Sequence, residues 1–262
     1  MDIQILVAAH KKYWMPEDNV YLPLHVGAEG KEALGYTPDN TGDNISGKNA
    51  TYCELTGLYW AWKNLHADYV GLCHYRRYFG HLVLQNDNLG IKKRKIFIKE
   101  DYENILSRFD IILSRRILFG RHATVEAQYS QNHYRKDLCT LRQVLQDLYP
   151  ADIIAFDRVM KKHGLHCYNM FVMRKADFDE YCQWLFSILF ESEKRIDISG
   201  YDLYQKRVFG FLAERLLDVW LFNRGLKIKE VPVVCLEEQE SISRIGQIRG
   251  ECKSMVYKFF GW

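Results

Sequence analysis

The chain is predicted to fold as a mixed α/β domain with a mostly parallel central sheet flanked by helices. Short, nearly uninterrupted apolar runs at residues 3–9 and 69–73 read as strands buried on both faces. Segments with apolar residues at helical spacing lie between and after them. With 262 residues, 48% of them hydrophobic and 14% aromatic, the chain can bury one sizeable core. No repeat or low-complexity linker divides it, so a single domain is expected.

The elements follow in order. Residues 3–9 form the first strand, and residues 27–48, rich in Gly, Asp, Asn and Thr, form a long loop of the kind that is functional or mobile in a compact domain. One helix is expected over residues 49–66, where Tyr52, Leu55, Leu58, Trp62 and Leu65 share a face. A buried strand at 69–73 breaks into His74-Tyr75-Arg76-Arg77-Tyr78, and polar residues just past such a strand stand where open α/β sheets bind ligands. A strand at 110–113 precedes a basic, aromatic segment at 115–135. Helices are expected at 137–148 and 151–162, divided by Pro150. A strand at 170–173 is followed by a helix at 175–194 with Phe178, Tyr181, Cys182, Leu185 and Leu189 on its apolar side. A helix at 210–223, closed by Arg224-Gly225, and a last strand at 227–234 with proline inside it complete the series.

Composition excludes several functions. The formal net charge is +3, without the basic excess of a nucleic-acid binder. The cysteines, at 53, 73, 139, 167, 182, 235 and 252, form no CxxC pair, which argues against a zinc site or a disulfide framework. Lys11-Lys12 follows the first apolar stretch, the reverse of a secretory signal, and no apolar run approaches the roughly 20 residues that cross a bilayer. A cytoplasmic protein is expected. Residues 244–249 and 253–262 mix basic residues with Phe259, Phe260 and Trp262, a pattern shared by packed C-terminal helices and by segments that rest on the inner face of an anionic membrane.

Three clusters carry chemistry. In the His74–Tyr78 segment, arginine offers a planar fork of donors for phosphate oxygens and tyrosine a ring and a hydroxyl, which suits a diphosphate. Surface ion pairs and core packing would explain the same residues. In the second cluster, Gly42-Asp43-Asn44-Ile45-Ser46 and Asn49 suit helix capping or ribose hydroxyls alike. The Gly-x-x-x-x-Gly-Lys spacing at 42–48 lacks the following Ser or Thr and a preceding strand, so it is not read as a phosphate loop. The third cluster places Glu214 beside apolar residues and Arg215. It suits a general base, with Asp202 and Asp218 as weaker alternatives, or a structural ion pair. The run Lys92-Lys93-Arg94-Lys95 is read as a solvated loop.

The strings Ile5-Leu6-Val7-Ala8-Ala9-His10-Lys11, Gly42-Asp43-Asn44-Ile45-Ser46, Tyr52-Cys53-Glu54-Leu55-Thr56-Gly57, Gly71-Leu72-Cys73-His74-Tyr75-Arg76-Arg77-Tyr78-Phe79 and Arg207-Val208-Phe209-Gly210-Phe211-Leu212-Ala213-Glu214-Arg215 occur in consistent order along the chain. Together they resemble the bacterial family of capsular and exopolysaccharide biosynthesis glycosyltransferases, long known only as a domain of unknown function, some members of which are galactofuranosyltransferases. The resemblance implies a GT-A-like fold, with residues 1–115 or so binding a nucleotide sugar and about 116–262 binding the acceptor. It implies a UDP-sugar donor, UDP-galactofuranose first among them, and a saccharide acceptor that is a polysaccharide or lipid-linked. By the same analogy Ala8, His10, Asp43, Asn44, Asn49, His74, Tyr75, Arg76 and Arg77 would meet the donor, Asn169 and Arg215 the acceptor, and Glu214 would be the base of an inverting transfer. A retaining transferase and a non-catalytic nucleotide- or carbohydrate-binding module are the alternatives.

One departure matters. Many GT-A enzymes carry Asp-x-Asp after the corresponding strand to hold manganese or magnesium, whereas this strand ends in His-Tyr-Arg-Arg. Asp177-Phe178-Asp179 falls in the opening turn of a predicted helix, where acidic residues favour the helix dipole. No metal ligand is assigned, and arginine is expected to take the cation's part in stabilising the leaving charge.

Overall fold

The computed structural model describes residues 1–121 and 123–237. Its strands are β1 (Ile3–Ala9), β2 (Tyr21–His25), β3 (Thr37–Pro38), β4 (Tyr69–His74), β5 (Arg77–Phe79), β6 (Ile111–Ser114), β7 (Ile117–Leu118), β8 (Gly164–Leu165), β9 (Phe171–Arg174), β10 (Ile228–Val231) and β11 (Val233–Cys235). Its helices are α1 (Asn49–Tyr52), α2 (Leu55–Asn64), α3 (Leu89–Arg94), α4 (Lys99–Leu106), α5 (Val125–Asn132), α6 (Arg135–Leu148), α7 (Ile153–Met160), α8 (Lys175–Arg195) and α9 (Val208–Leu221).

The main sheet runs β10-β6-β9-β4-β1-β2-β3. Pairings are parallel except around β9, which is antiparallel to both β4 and β6. This mixed α/β architecture, a largely parallel sheet between helical layers, is the fold class the apolar runs predict. Alternation along β1 explains why its run is unbroken. Leu6 and Ala8 enter the core beneath α2, α8 and α9, while Ile5, Val7 and Ala9 enter a second core with Tyr102 and Leu106 of α4. Gly71 sits where a Cβ would lie 2.7 Å from Ile5 and 2.8 Å from Val172, so β1, β4 and β9 close up only around glycine.

Several expectations are corrected. The helix over 49–66 is broken at Cys53, whose φ of 53° and ψ of −130° are not helical. Pro232 divides the last strand into β10, parallel to β6, and β11, antiparallel to β5. A proline cannot donate to a ladder, so the chain changes partner there. Lys92, Lys93 and Arg94 lie in α3, started by Asn88, whose side chain accepts from the Ile91 amide at 3.0 Å. The basic, aromatic stretch contains α5. No helix among the described residues is long and apolar enough to cross a membrane. The basic, aromatic stretches at 244–249 and 253–262 lie outside the described residues.

Candidate active site

The site forms where β1 and β4 end together. Ala8 pairs with His74, and the Tyr75 amide donates to the Ala8 carbonyl at 3.1 Å. The chain then turns back, pairing Arg77 with His74. Tyr75, only 1% exposed, is packed edge-on by His10 and Tyr13 with ring centres 5.4 and 5.1 Å away, and Arg76 lies 4.7 Å over its ring. Its ring therefore anchors Arg76 and is too enclosed to stack on a base. Arg76 also pairs with Glu237, and Arg77 lies 4.9 Å over Tyr168. Burial, with help from Lys11 and Arg76, pushes the His10 pKa down to about 4.

Beside this turn is a small, partly enclosed pocket lined by His74, Arg77, Cys53, Glu54, Tyr168, Arg207, Gly210, Phe211 and Glu214. Four separated pieces of sequence meet in it: the β4–β5 turn, the break before α2, the turn before β9, and α9. His74 donates through Nε2 to the Tyr168 carbonyl at 2.7 Å. Its burial, reinforced by Arg77, pushes its pKa down to about 3, so the ring is neutral at physiological pH. Glu214 accepts the Tyr168 amide at 2.9 Å on one oxygen and Arg215 at 2.9 Å on the other. Glu54 accepts the Asn169 amide group at 2.7 Å. Burial raises the pKa of both carboxyls above the ordinary range. Arg207 donates through Nε to the Cys53 sulfur at 3.2 Å.

The backbone is strained at the same place. Among the described residues, the non-glycine residues with positive φ are Cys53 (53°), Tyr168 (75°) and Asn169 (53°). Cys53 and Tyr168 line the pocket, and Asn169 holds Glu54. Such conformations cost of order 1–3 kcal/mol each and concentrate where geometry serves a function.

Residues 4–225 match the family described as a domain of unknown function, DUF4422. The chain belongs to that family. No curated protein matches it. Among solved structures, the apo form of WbbM, a bifunctional glycosyltransferase, is similar over 90% of this chain, with 32% identity and a TM-score of 0.82. The chain spans 45% of the length of that protein.

Within this DUF4422 domain, the anticipated site residues separate into two groups. Ala8, His74, Arg76, Arg77 and Glu214 converge at the sheet end, with His10 and Tyr75 packed beside them. Asp43 instead accepts from Tyr59, and its carbonyl accepts from Asn64. Asn44 closes a local turn onto Ser46 and Gly42. Asn49 bonds to the Cys53 carbonyl and to Thr56. The long loop is thus laced to α2, and buried Asp39 gathers the Gly27 and Ala28 amides and the Ser46 and Thr56 hydroxyls. Arg215, 2% exposed, binds Phe211, Glu214 and Gln128, and it does not line the pocket.

Asp202 caps the Gln205 amide, and Asp218 accepts from the backbone and ring of His166. Asp177 and Asp179 open α8 at the far end of the sheet, since Arg174 pairs with Tyr69 at the start of β4. Asp179 pairs there with Lys175 at 2.6 Å. Sequence reasoning missed Glu54, Tyr168, Arg207 and Asp39. Glu54 and Arg207 stand inside the strings that carry the family resemblance, but periodicity assigned Glu54 to a helix interior.

Proposed function

We propose that this domain is a glycosyltransferase that moves a sugar from a UDP-sugar onto a saccharide acceptor during surface polysaccharide assembly. The observation that carries the reading is the pocket itself, where buried carboxylates face arginines at the C-terminal end of parallel strands. An acceptor hydroxyl is deprotonated by a pocket carboxylate and attacks the anomeric carbon, the bond to the diphosphate breaks, and Arg77 with Arg76 receives the departing charge. Neutral His74 ties the turn to Tyr168. The transition state is oxocarbenium-like and the transfer inverting. The 32% identity to a bifunctional glycosyltransferase supports the activity, and the 45% span suits one of its modules. UDP-galactofuranose is the first donor to try, and lipid-linked acceptors are the first acceptors. Residues 1–115 or so form the donor half and the remainder the acceptor half.

Calorimetric titration with UDP and other nucleotides, with and without manganese, tests the donor site. UDP-selective binding is expected, weakened roughly 10- to 100-fold in Arg77→Ala by loss of a charge-assisted hydrogen bond worth about 1.5–3 kcal/mol. Binding insensitive to manganese supports arginine in the cation's role. Absence of nucleotide binding under both conditions rules the mechanism out. The ion pair of Glu214 with Arg215 favours a second reading, a binding module without turnover, which product analysis separates. The same analysis reports the anomeric configuration and so distinguishes a retaining transferase.

A further inference from the structure

Resting on the transferase reading above, we propose that Glu54 is the general base and that Glu214 is a positioning residue. The two carboxylates share one pocket but are held in different ways.

Glu214 has both oxygens engaged, one by the Tyr168 amide and one by Arg215. Arg215 in turn holds the Phe211 carbonyl and Gln128. A carboxylate that grips a backbone amide and a buried guanidinium is a clamp between α9 and the turn before β9. Withdrawing it to take a proton would leave Arg215 buried without its counter-charge, which is strongly unfavourable.

Glu54 is held differently. Its carboxylate is oriented by the neutral Asn169 amide at 2.7 Å, while Arg207 and Arg77 act on its charge from across the pocket. It is 6% exposed and lines the pocket. The groups facing it are Cys53 beside it, His74 and Arg77 from the β4–β5 turn, Tyr168 from the turn before β9, Arg207 from the turn before α9, and Glu214 from α9. Burial is the largest influence on its proton and raises its pKa against the pull of Arg207 and Arg77, so its carboxylate is a stronger base than one at the surface.

The backbone is built around this placement. Cys53 breaks the helix immediately before Glu54, and Asn169, its orienting partner, also has positive φ. In the transfer, the acceptor O–H proton goes to the Glu54 carboxylate while the acceptor oxygen bonds to the anomeric carbon. The anomeric C–O bond breaks, and its electron pair leaves on the diphosphate.

Glu54→Gln and Glu214→Gln are compared in the whole chain for UDP binding, turnover with UDP-galactofuranose and other UDP-sugars, and melting temperature. A carboxyl with a raised native pKa contributes fully to stability below its unfolded value and loses that contribution as pH rises through the native one. At neutral pH, therefore, Glu54→Gln is expected to melt at or above wild type, by roughly 2–4 °C. It should keep UDP affinity, lose about 10²- to 10⁴-fold in kcat, and lose the ascending limb of the pH–rate profile.

Glu214 also has a raised pKa, but removing its charge leaves buried Arg215 without a counter-charge, so Glu214→Gln is expected to melt several degrees lower and to keep that limb in whatever activity remains. Glu54→Gln with near-wild-type kcat, or with the limb intact, overturns the assignment. So does a Glu54→Gln that melts as low as Glu214→Gln, which would make Glu54 a structural group. Wild type that binds no UDP and turns over no UDP-sugar overturns the transferase reading, and the base role with it.

Discussion

Every titratable group that α9 carries inward is answered by a partner, because all of the helix, Val208–Leu221, is buried. Asp218 is the clearest case. Burial opposes its charge, yet hydrogen bonds from His166, at 2.9 Å from the backbone and 2.8 Å from the ring, outweigh this and hold the carboxyl below its ordinary range. A carboxylate lowered in this way stabilises above its unfolded value of about 3.9, and the contribution is lost as pH falls through the native value. Asp218→Asn is therefore expected to lose roughly 3–5 kcal/mol at neutral pH. Its deficit should shrink below about pH 4. Urea denaturation of both proteins between pH 3 and pH 7, as rough limits, measures this; a deficit constant across the range would contradict it.

Elements meet at distances set by small residues. A Cβ on Gly57 would lie 2.6 Å from Leu24 and 2.7 Å from Val26, so α2 lies close on β2 and the segment after it. Gly57→Ala is expected to destabilise by about 1–3 kcal/mol through overpacking, although alanine favours helix by itself. A denaturation midpoint at or above wild type would show that α2 can slide away. The division between α1 and α2 belongs to this scale too. Residues 49–66 have continuous helical periodicity, and no proline or glycine marks position 53. The break depends on contacts with distant elements: Arg207 donates to the Cys53 sulfur, and a Cβ on Gly210 would stand only 3.4 Å from that sulfur.

At the scale of the whole molecule, the sheet order brings the ends of β1 and β4 against α9, so residues more than a hundred positions apart form one pocket. A ligand that binds there stabilises only the folded chain. UDP at about 100 times its Kd should add about 2.7 kcal/mol, visible as a rise of several degrees in melting temperature. The rise should shrink in Arg77→Ala. An equal rise in both proteins would place nucleotide binding elsewhere.

Local pattern sufficed for much of this. Alternation and apolar runs located β1, β4, β6 and β9, because a strand buried on both faces has no polar positions to disguise it. The apolar side of α8, with Phe178, Tyr181, Cys182, Leu185 and Leu189 all buried, was equally legible. The abrupt change from Cys73 to His74-Tyr75-Arg76-Arg77 marked the sheet end where the pocket lies. What tertiary structure decided is which polar residues meet there. Asp43 and Asn44, which the sequence offers as caps or as ligand contacts alike, bond within their loop and to α2. Glu54 and Arg207 look like ordinary helix and surface charges, but they face the pocket. Hydrophobic periodicity records which side of an element is buried; it carries no information about which buried charges will share a cavity, because that depends on contacts between segments far apart in the chain.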